Sequence, residues 1–294
     1  MRYVFLRTGD MPAITARKIR LERITFGAGR IKEKYLIDKS VVFCGACSKW
    51  RGGSIPLVRT SLLSTPTVGL RRHYFNGDGD FRSTECIELL KQADIVVTNP
   101  PFSLFREYVA QLVEYEKNFL IVGNQNAITY KEIFKLIKEN EIWLGSHSGD
   151  MKFKVPDYYE PRETRFWIDE TGQKWRSLGN ACWFTNLDLP KRHEELVLYK
   201  KYSEDEYPHY DNYDAIEVGK TELIPENFDG VMGVPITFLN KYNPEQFEIL
   251  GMESSAGYDS EIVGIPRLKE GDARPAINGK TTYARIFIRR RKEA

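Results

Sequence analysis

The sequence predicts an α/β protein built on a doubly wound, mostly parallel sheet. Helical stripes alternate with short β-branched runs from Ser83 onward, and the connections between them are short. The composition, 41% hydrophobic and 29% charged over 294 residues, is ordinary globular usage and supports a sizeable core.

The elements follow in order. Ser83 or Thr84 is placed to cap a first helix, with Glu85 favourable to its dipole and Ile87, Leu89, Leu90 and Ala93 on its apolar side. Ile95-Val96-Val97 reads as a buried strand. Ser103 is a candidate cap for the next helix, whose stripe is Leu104, Phe105, Tyr108, Val109, Leu112 and Val113. Phe119 to Val122 is the next strand, closed by Gly123. Thr129 and Glu132 have capping-box spacing ahead of Ile133, Phe134, Leu136 and Ile137, and Ile142 to Gly145 is a third strand. After Gly149 the texture changes. Residues 151–156, 165–169 and 181–186 read as strands, with Glu170-Thr171-Gly172 as a turn. A Tyr-rich acidic stretch follows at 202–213. Turn-rich segments punctuated by Asp229-Gly230, Asn243-Pro244 and Asn278-Gly279 then lead to a last strand over 283–289.

Charge is distributed unevenly. Residues 1–72 hold 15 Lys and Arg against 4 acids, whereas the rest holds 28 against 37, so a net +2 conceals halves of +11 and −9. No run approaches the roughly 18 to 20 apolar residues of a membrane span, and the N-terminus lacks the apolar core of a signal peptide. A cytoplasmic protein with no membrane partner is expected. The cysteines are Cys44, Cys47, Cys86 and Cys182, too few for a disulfide framework. Cys44-Gly-Ala-Cys47 lacks a second pair at zinc-site spacing, and His73, His147, His193 and His209 show no metal or triad spacing, so no metal is expected.

Thr98-Asn99-Pro100-Pro101-Phe102 follows the 95–97 strand and precedes a helix, which is where open α/β sheets bind ligands. The tetrapeptide from Asn99 to Phe102 arises by chance in roughly one chain in a thousand. Its residue types suit one chemistry. An exocyclic amine on an aromatic base is a poor nucleophile because its lone pair is delocalised into the ring. Two acceptors aimed at its N–H groups, here the Asn99 side-chain oxygen and the Pro100 carbonyl, favour a localised lone pair. Consecutive prolines stiffen the loop so that both point one way. Acceptors facing charge that develops in the transition state act most strongly there. Phe102 offers a flat face for an unstacked base. The competing reading is a tight turn with Phe102 in the core. Upstream, Gly77-Asp78-Gly79-Asp80-Phe81 suits recognition of a cofactor's adenine, by Asp as acceptor and Phe81 as a packing surface. It also reads as an ordinary turn.

With both motifs in place, the chain from about Gly77 to Ile288 resembles the EcoRI-type adenine-specific DNA methyltransferases. The resemblance rests on residues 77–83, 94–108, 128–133, 142–145, 210–214, 233–238 and 243–247, within about 70% of the length. It implies a doubly wound sheet of the S-adenosylmethionine-dependent methyltransferase type with a C-terminal α+β target-recognition part. It implies methyl transfer from S-adenosylmethionine to N6 of adenine in duplex DNA with base flipping, as in restriction-modification systems. It makes Asn99, Pro100, Pro101 and Phe102 the catalytic motif, and Asp78, Asp80, Phe81 and Asn99 the cofactor contacts. A monomer is expected, with a cognate restriction endonuclease encoded nearby and no stable complex with it. RNA adenine or protein glutamine methylation, which Asn-Pro-Pro-aromatic loops also serve, fits less well because the C-terminal part matches a DNA-modifying family.

The N-terminal part departs from the family. The motif resembling Asp-Glu-Phe-Tyr-Thr is missing. The strand Val41-Val42-Phe43-Cys44 runs into Gly, Ser and Arg where the family keeps an acidic loop and an aromatic-rich helix. Residues 10–35 and 45–72 read as frame-shifted or degenerate, and the +11 reads as a mark of that disruption rather than a polyanion-binding arm. The domain reading is therefore residues 1–77 as an atypical, degenerate part of the cofactor site, 78–190 as the catalytic core and 191–294 as the target-recognition region. The alternative function is a catalytically impaired relative that at most binds nucleic acid. Arg289 to Lys292 reads as a phosphate contact or a solvated tail, and Trp175, Trp183 and Phe184 as core residues or aids to base recognition.

Overall fold

The computed structural model describes residues 80–147, 149–253, 260–269 and 274–291, with short strands at 25–26, 29–30 and 41–42. Cys44, Cys47, His73, Asp78 and most of residues 10–35 and 45–72 lie outside the described residues. The chain divides into two compact units, residues 1–125 with 145–187, and residues 126–144 with 188–294.

In the first unit β1 (Thr25–Phe26) and β2 (Gly29–Arg30) form a small antiparallel pair. A central sheet follows from β3 (Val41–Val42), α1 (Thr84–Gln92), β4 (Ile95–Thr98), α2 (Phe105–Glu114) and β5 (Asn118–Asn124). Strands β3, β4 and β5 run parallel in that order, and β4–α2–β5 is a parallel crossover unit. Ser83 caps α1 as expected: its hydroxyl oxygen accepts from the Cys86 N–H at 3.2 Å. Cys86, Leu90 and Ala93 are the buried side of that segment. Ser103 does not cap α2. Residues Phe102–Leu104 form a 3-10 turn, and α2 starts at Phe105 with no side-chain cap. Burial of Phe105, Tyr108, Val109 and Leu112 holds α2 instead, each such side chain contributing roughly 1.5–3 kcal/mol.

The far edge of β5 differs from the sequence expectation. The strand beside it is β10 (Ala181–Thr185), running antiparallel, rather than the 142–145 run. The interior of β5 is buried from Phe119 to Gly123, so its backbone needs a partner on each edge. β10 supplies one with matched burial: Phe184 packs on Phe105 with ring centroids 5.0 Å apart, and the Thr185 hydroxyl donates to the Phe119 carbonyl at 2.5 Å. The 145–181 insertion carries a small antiparallel sheet of β7 (Lys152–Lys154), β8 (Phe166–Ile168) and β9 (Lys174–Ser177), in the order β7-β9-β8.

The second unit begins with α3 (Lys131–Lys138) and β6 (Trp143–Leu144). The expected capping box is not formed. Tyr130 occupies the cap position, and the Thr129 hydroxyl donates to the Asn126 carbonyl at 2.9 Å within a preceding 3-10 turn. Further along come β11 (Ile216–Glu217), β12 (Met232–Pro235), β13 (Phe247–Glu253), α4 (Ser260–Val263), β14 (Ala276–Ile277), β15 (Lys280–Thr281) and β16 (Arg285–Arg290). The order β11-β12-β16-β13 forms one sheet, over a core that includes Tyr210, Tyr213, Val263 and Phe287. β14 and β15 join through Asn278 and Gly279, both at positive φ (51° and 73°), as a tight hairpin of this twist requires. Among the described residues no helix is long and apolar enough to cross a membrane.

Candidate active site

Strand β4 delivers the Asn99 to Phe102 loop to the carboxyl end of the central sheet. Pro101 is extended (φ −62°, ψ 128°), and its carbonyl accepts from the Leu104 N–H at 3.0 Å, closing the turn that leads into α2. The Pro100 carbonyl accepts no backbone N–H among the described residues. Pro100 is buried, Asn99 and Pro101 are half-buried, and Phe102 is 41% exposed. Phe102 is therefore not a core residue: its ring faces solvent at the loop's end. Thr98, one residue before Asn99, is buried, and its hydroxyl has no hydrogen-bond partner among the described residues.

Packing behind the loop fixes its position. Gly123 on β5 has no Cβ, and one placed there would lie 2.6 Å from Phe105 Cε2 and 2.8 Å from Phe184 Cε2. The close approach seats the first turn of α2 against β5 and so anchors the end of the Asn99 to Phe102 loop. Local sequence carries no sign of it beyond a glycine at the end of a strand.

The upstream acid and aromatic are tied into the same unit. Arg82 donates to Asp80 through its backbone N–H (2.8 Å), Nε (3.0 Å) and Nη2 (2.8 Å), and reaches Glu107 at 3.3 Å. These Arg82 hydrogen bonds lower the Asp80 pKa, keeping the group an ionised acceptor. Phe81 is buried, edge-on to Tyr108 with centroids 5.0 Å apart, and its carbonyl accepts from Gln111 at 3.2 Å. The structure thus places Asp80 and Phe81 together with α2, and Asn99 to Phe102 at that helix's entrance. Burial pushes the Cys182 thiol up to about 12, so it offers no thiolate.

The remaining sequence candidates separate. Phe184 is fully buried against Phe105, and Trp183 packs on the cluster of Val122, Met151 and Ala181. Trp175 lies on β9 beside Trp167, which the sequence reading did not single out. In the second unit Arg289 pairs with Glu248 at 2.9 Å, and Arg291 donates to the Pro244 carbonyl at 2.8 Å.

A parallel strand ending in an Asn-Pro-Pro-Phe loop is the arrangement that the resemblance to adenine methyltransferases predicts. The chain belongs to that class: it is a member of the family described as adenine-specific methyltransferase EcoRI, which matches residues 63–291. Among its relatives, the type II methyltransferase M.EcoRI of Escherichia coli is 53% identical over 222 residues, covering 74% of this chain and 64% of the relative. The type II methyltransferase M.MpnI of Mycoplasma pneumoniae is 41% identical over 225 residues, covering 74% of this chain and 70% of the relative. The chain thus spans a little under two thirds of the length of M.EcoRI. No solved structure matches.

Proposed function

We propose that the protein transfers a methyl group from S-adenosylmethionine to N6 of an adenine flipped out of duplex DNA. One observation carries the reading: the Asn99-Pro100-Pro101-Phe102 loop stands at the carboxyl end of β4 with Asn99 partly open, the Pro100 carbonyl unused by the backbone and the Phe102 ring exposed. The Asn99 side-chain oxygen and the Pro100 carbonyl accept the two N6 hydrogens, which localises the nitrogen lone pair. As the nitrogen gains positive character, both acceptors bind it more strongly than they bind the ground state. Pro101 holds the loop extended, and Phe102 stacks on the base.

The residues present fit a methyl donor. Thr98 offers a buried hydroxyl without a partner beside Asn99, and Asp80 offers an ionised acceptor oriented by Arg82. When bound, S-adenosylmethionine supplies an electrophilic sulfonium methyl. Asp78, Asp80, Phe81 and Asn99 are the proposed contacts, with Phe81 acting from its buried place against Tyr108. On this reading the central sheet is the doubly wound methyltransferase sheet, residues 78–190 are the catalytic core and 191–294 recognise the target. The protein works as a cytoplasmic monomer beside a cognate endonuclease that it does not bind stably.

A second reading, an impaired relative that binds nucleic acid only, is favoured by one observation. The family match begins at residue 63, inside the 45–72 stretch, and leaves out residues 1–62, where the sequence departs from the family. Titration calorimetry with S-adenosylmethionine separates the two, since the impaired protein gives no binding heat. The activity is tested by incubating the full chain with duplex DNA and labelled S-adenosylmethionine. Label enters DNA, and Asn99→Ala lowers the rate by about 100-fold or more. No incorporation by the unaltered chain overturns the reading.

A further inference from the structure

The small sheet β7-β9-β8 has no part in the chemistry above, yet its register sorts its side chains cleanly. Lys154 on β7 stands opposite Trp175 on β9, which stands opposite Trp167 on β8. Opposed residues share a face and alternate residues point to opposite faces. Lys152, Lys154, Trp167 and Trp175 therefore share one face, and Phe153, Phe166 and Arg176 share the other. The second face is occupied. Phe153 packs on the cluster of Val122, Met151 and Ala181, while Tyr159 stacks on Phe166 at 6.3 Å and hydrogen-bonds Arg176.

The first face is open. Trp167 is 37% exposed, and both lysines are exposed. The two indoles lie parallel, 6.2 Å apart with planes 4° from each other. The Lys152 ammonium sits 5.9 Å from the Trp167 ring and the Lys154 ammonium 5.3 Å from the Trp175 ring. The nearby carboxylates are engaged. Asp169 accepts from the Trp175 indole N–H at 2.7 Å and from Thr171, and Asp150 accepts from the Gly179 N–H at 2.6 Å beside Arg165. Neither lysine comes within ion-pair distance of a carboxylate among the described residues, although Lys152 is close enough to Asp150 to help keep it ionised. The result is a face with two exposed ammonium groups on one strand, each lying against one of a pair of stacked indoles on β8 and β9.

Its attachment gives the face a place. Ala181 pairs with Asn124 at the end of β5, and the Gln125 N–H donates to the Asn180 carbonyl at 2.6 Å. Because β4 and β5 are parallel, with Thr98 opposite Ile121, the insertion leaves from the same carboxyl end of the sheet as the Asn99 loop.

We propose that the Lys152, Lys154, Trp167 and Trp175 face is a contact surface for duplex DNA beside the target base. The two ammonium groups bind phosphates of one strand, and the indoles beside them pack on the neighbouring sugars and base edges. The inference rests on the function proposed above and adds the residues that grip the substrate.

The test measures binding of the full chain to a fluorescent duplex of mixed sequence over a range of salt concentrations. Removing two phosphate contacts in Lys152→Gln/Lys154→Gln flattens the slope of log affinity against log salt by about 1.8, about 0.9 per lysine. Trp167→Ala weakens binding about tenfold and leaves the slope unchanged, because it removes apolar contact and no charge. Amine acetylation of the unaltered chain needs no variant: bound duplex slows modification of Lys152 and Lys154 several-fold. An unchanged slope, or lysines as reactive with DNA as without it, overturns this inference and leaves methyl transfer standing. Failure of the unaltered chain to bind duplex overturns both.

Discussion

Gly123 positions the proposed chemistry by what it lacks. With no Cβ, it lets Phe105 and Phe184 close over β5, and Phe105 opens the helix that follows the Asn99 loop. Gly123→Ala forces two aromatic rings aside and costs about 1–3 kcal/mol by urea denaturation. Stability equal to that of the unaltered chain would mean that the rings yield freely. At this scale the loop was legible in advance, because Asn-Pro-Pro-Phe after a strand is rare and chemically specific. Gly123 and the unpartnered Thr98 hydroxyl were not: the rings that close over Gly123 come from 18 and 61 residues away in sequence, and the burial of Thr98 is a product of the fold. Phe102 illustrates the intermediate case: local sequence allowed either a core or an open ring, and only burial decided between them.

Elements read well where apolar residues recur at helical spacing or run unbroken, and poorly where they do neither. α1, α2, β4 and β5 fall close to the segments their apolar spacing predicts. β9 was missed because Lys174-Trp-Arg-Ser177 shows no apolar alternation: both its faces carry polar or amphipathic side chains. The caps expected at Ser103 and Thr129 failed for a common reason, a 3-10 turn at each site that takes the residue into the turn. The β8–β9 hairpin gives a pH test at this scale. Hydrogen bonds from Thr171, then from the Trp175 indole, hold the Asp169 carboxyl at about 2, below its ordinary 3.8. A depressed acid contributes stability above its unfolded value and loses that contribution as pH falls toward the folded one. The hairpin therefore weakens between about pH 4 and pH 2. A carbon NMR titration of Asp169 shows a midpoint near 2, whereas a midpoint near 3.8 would mean that the turn does not hold it.

For the whole molecule, the division of the chain was the least legible feature. Residues 126–144 follow β5 directly in sequence, yet they join residues 188–294 as one unit. Strand and helix periodicity reports which face of a segment is buried and carries no record of which distant segment covers it. The second unit also depends on a pair that spacing could not reveal. Glu217 on β11 and Arg285 on β16 meet at 3.0 Å with side chains only 13% and 11% exposed, and the Tyr210 hydroxyl donates to the same carboxylate. Glu217→Gln leaves the guanidinium buried and uncompensated, lowering stability by about 3 kcal/mol in equilibrium denaturation. A loss near zero would show that water compensates the arginine. The family match, residues 63–291, takes in the second unit almost whole and the first from residue 63 onward. The most direct measurement is nucleoside analysis of duplex DNA after incubation with the full chain and S-adenosylmethionine. N6-methyladenine as the sole new nucleoside, absent with Asn99→Ala, is the predicted result, and unmodified DNA or a methylated base other than adenine would contradict it.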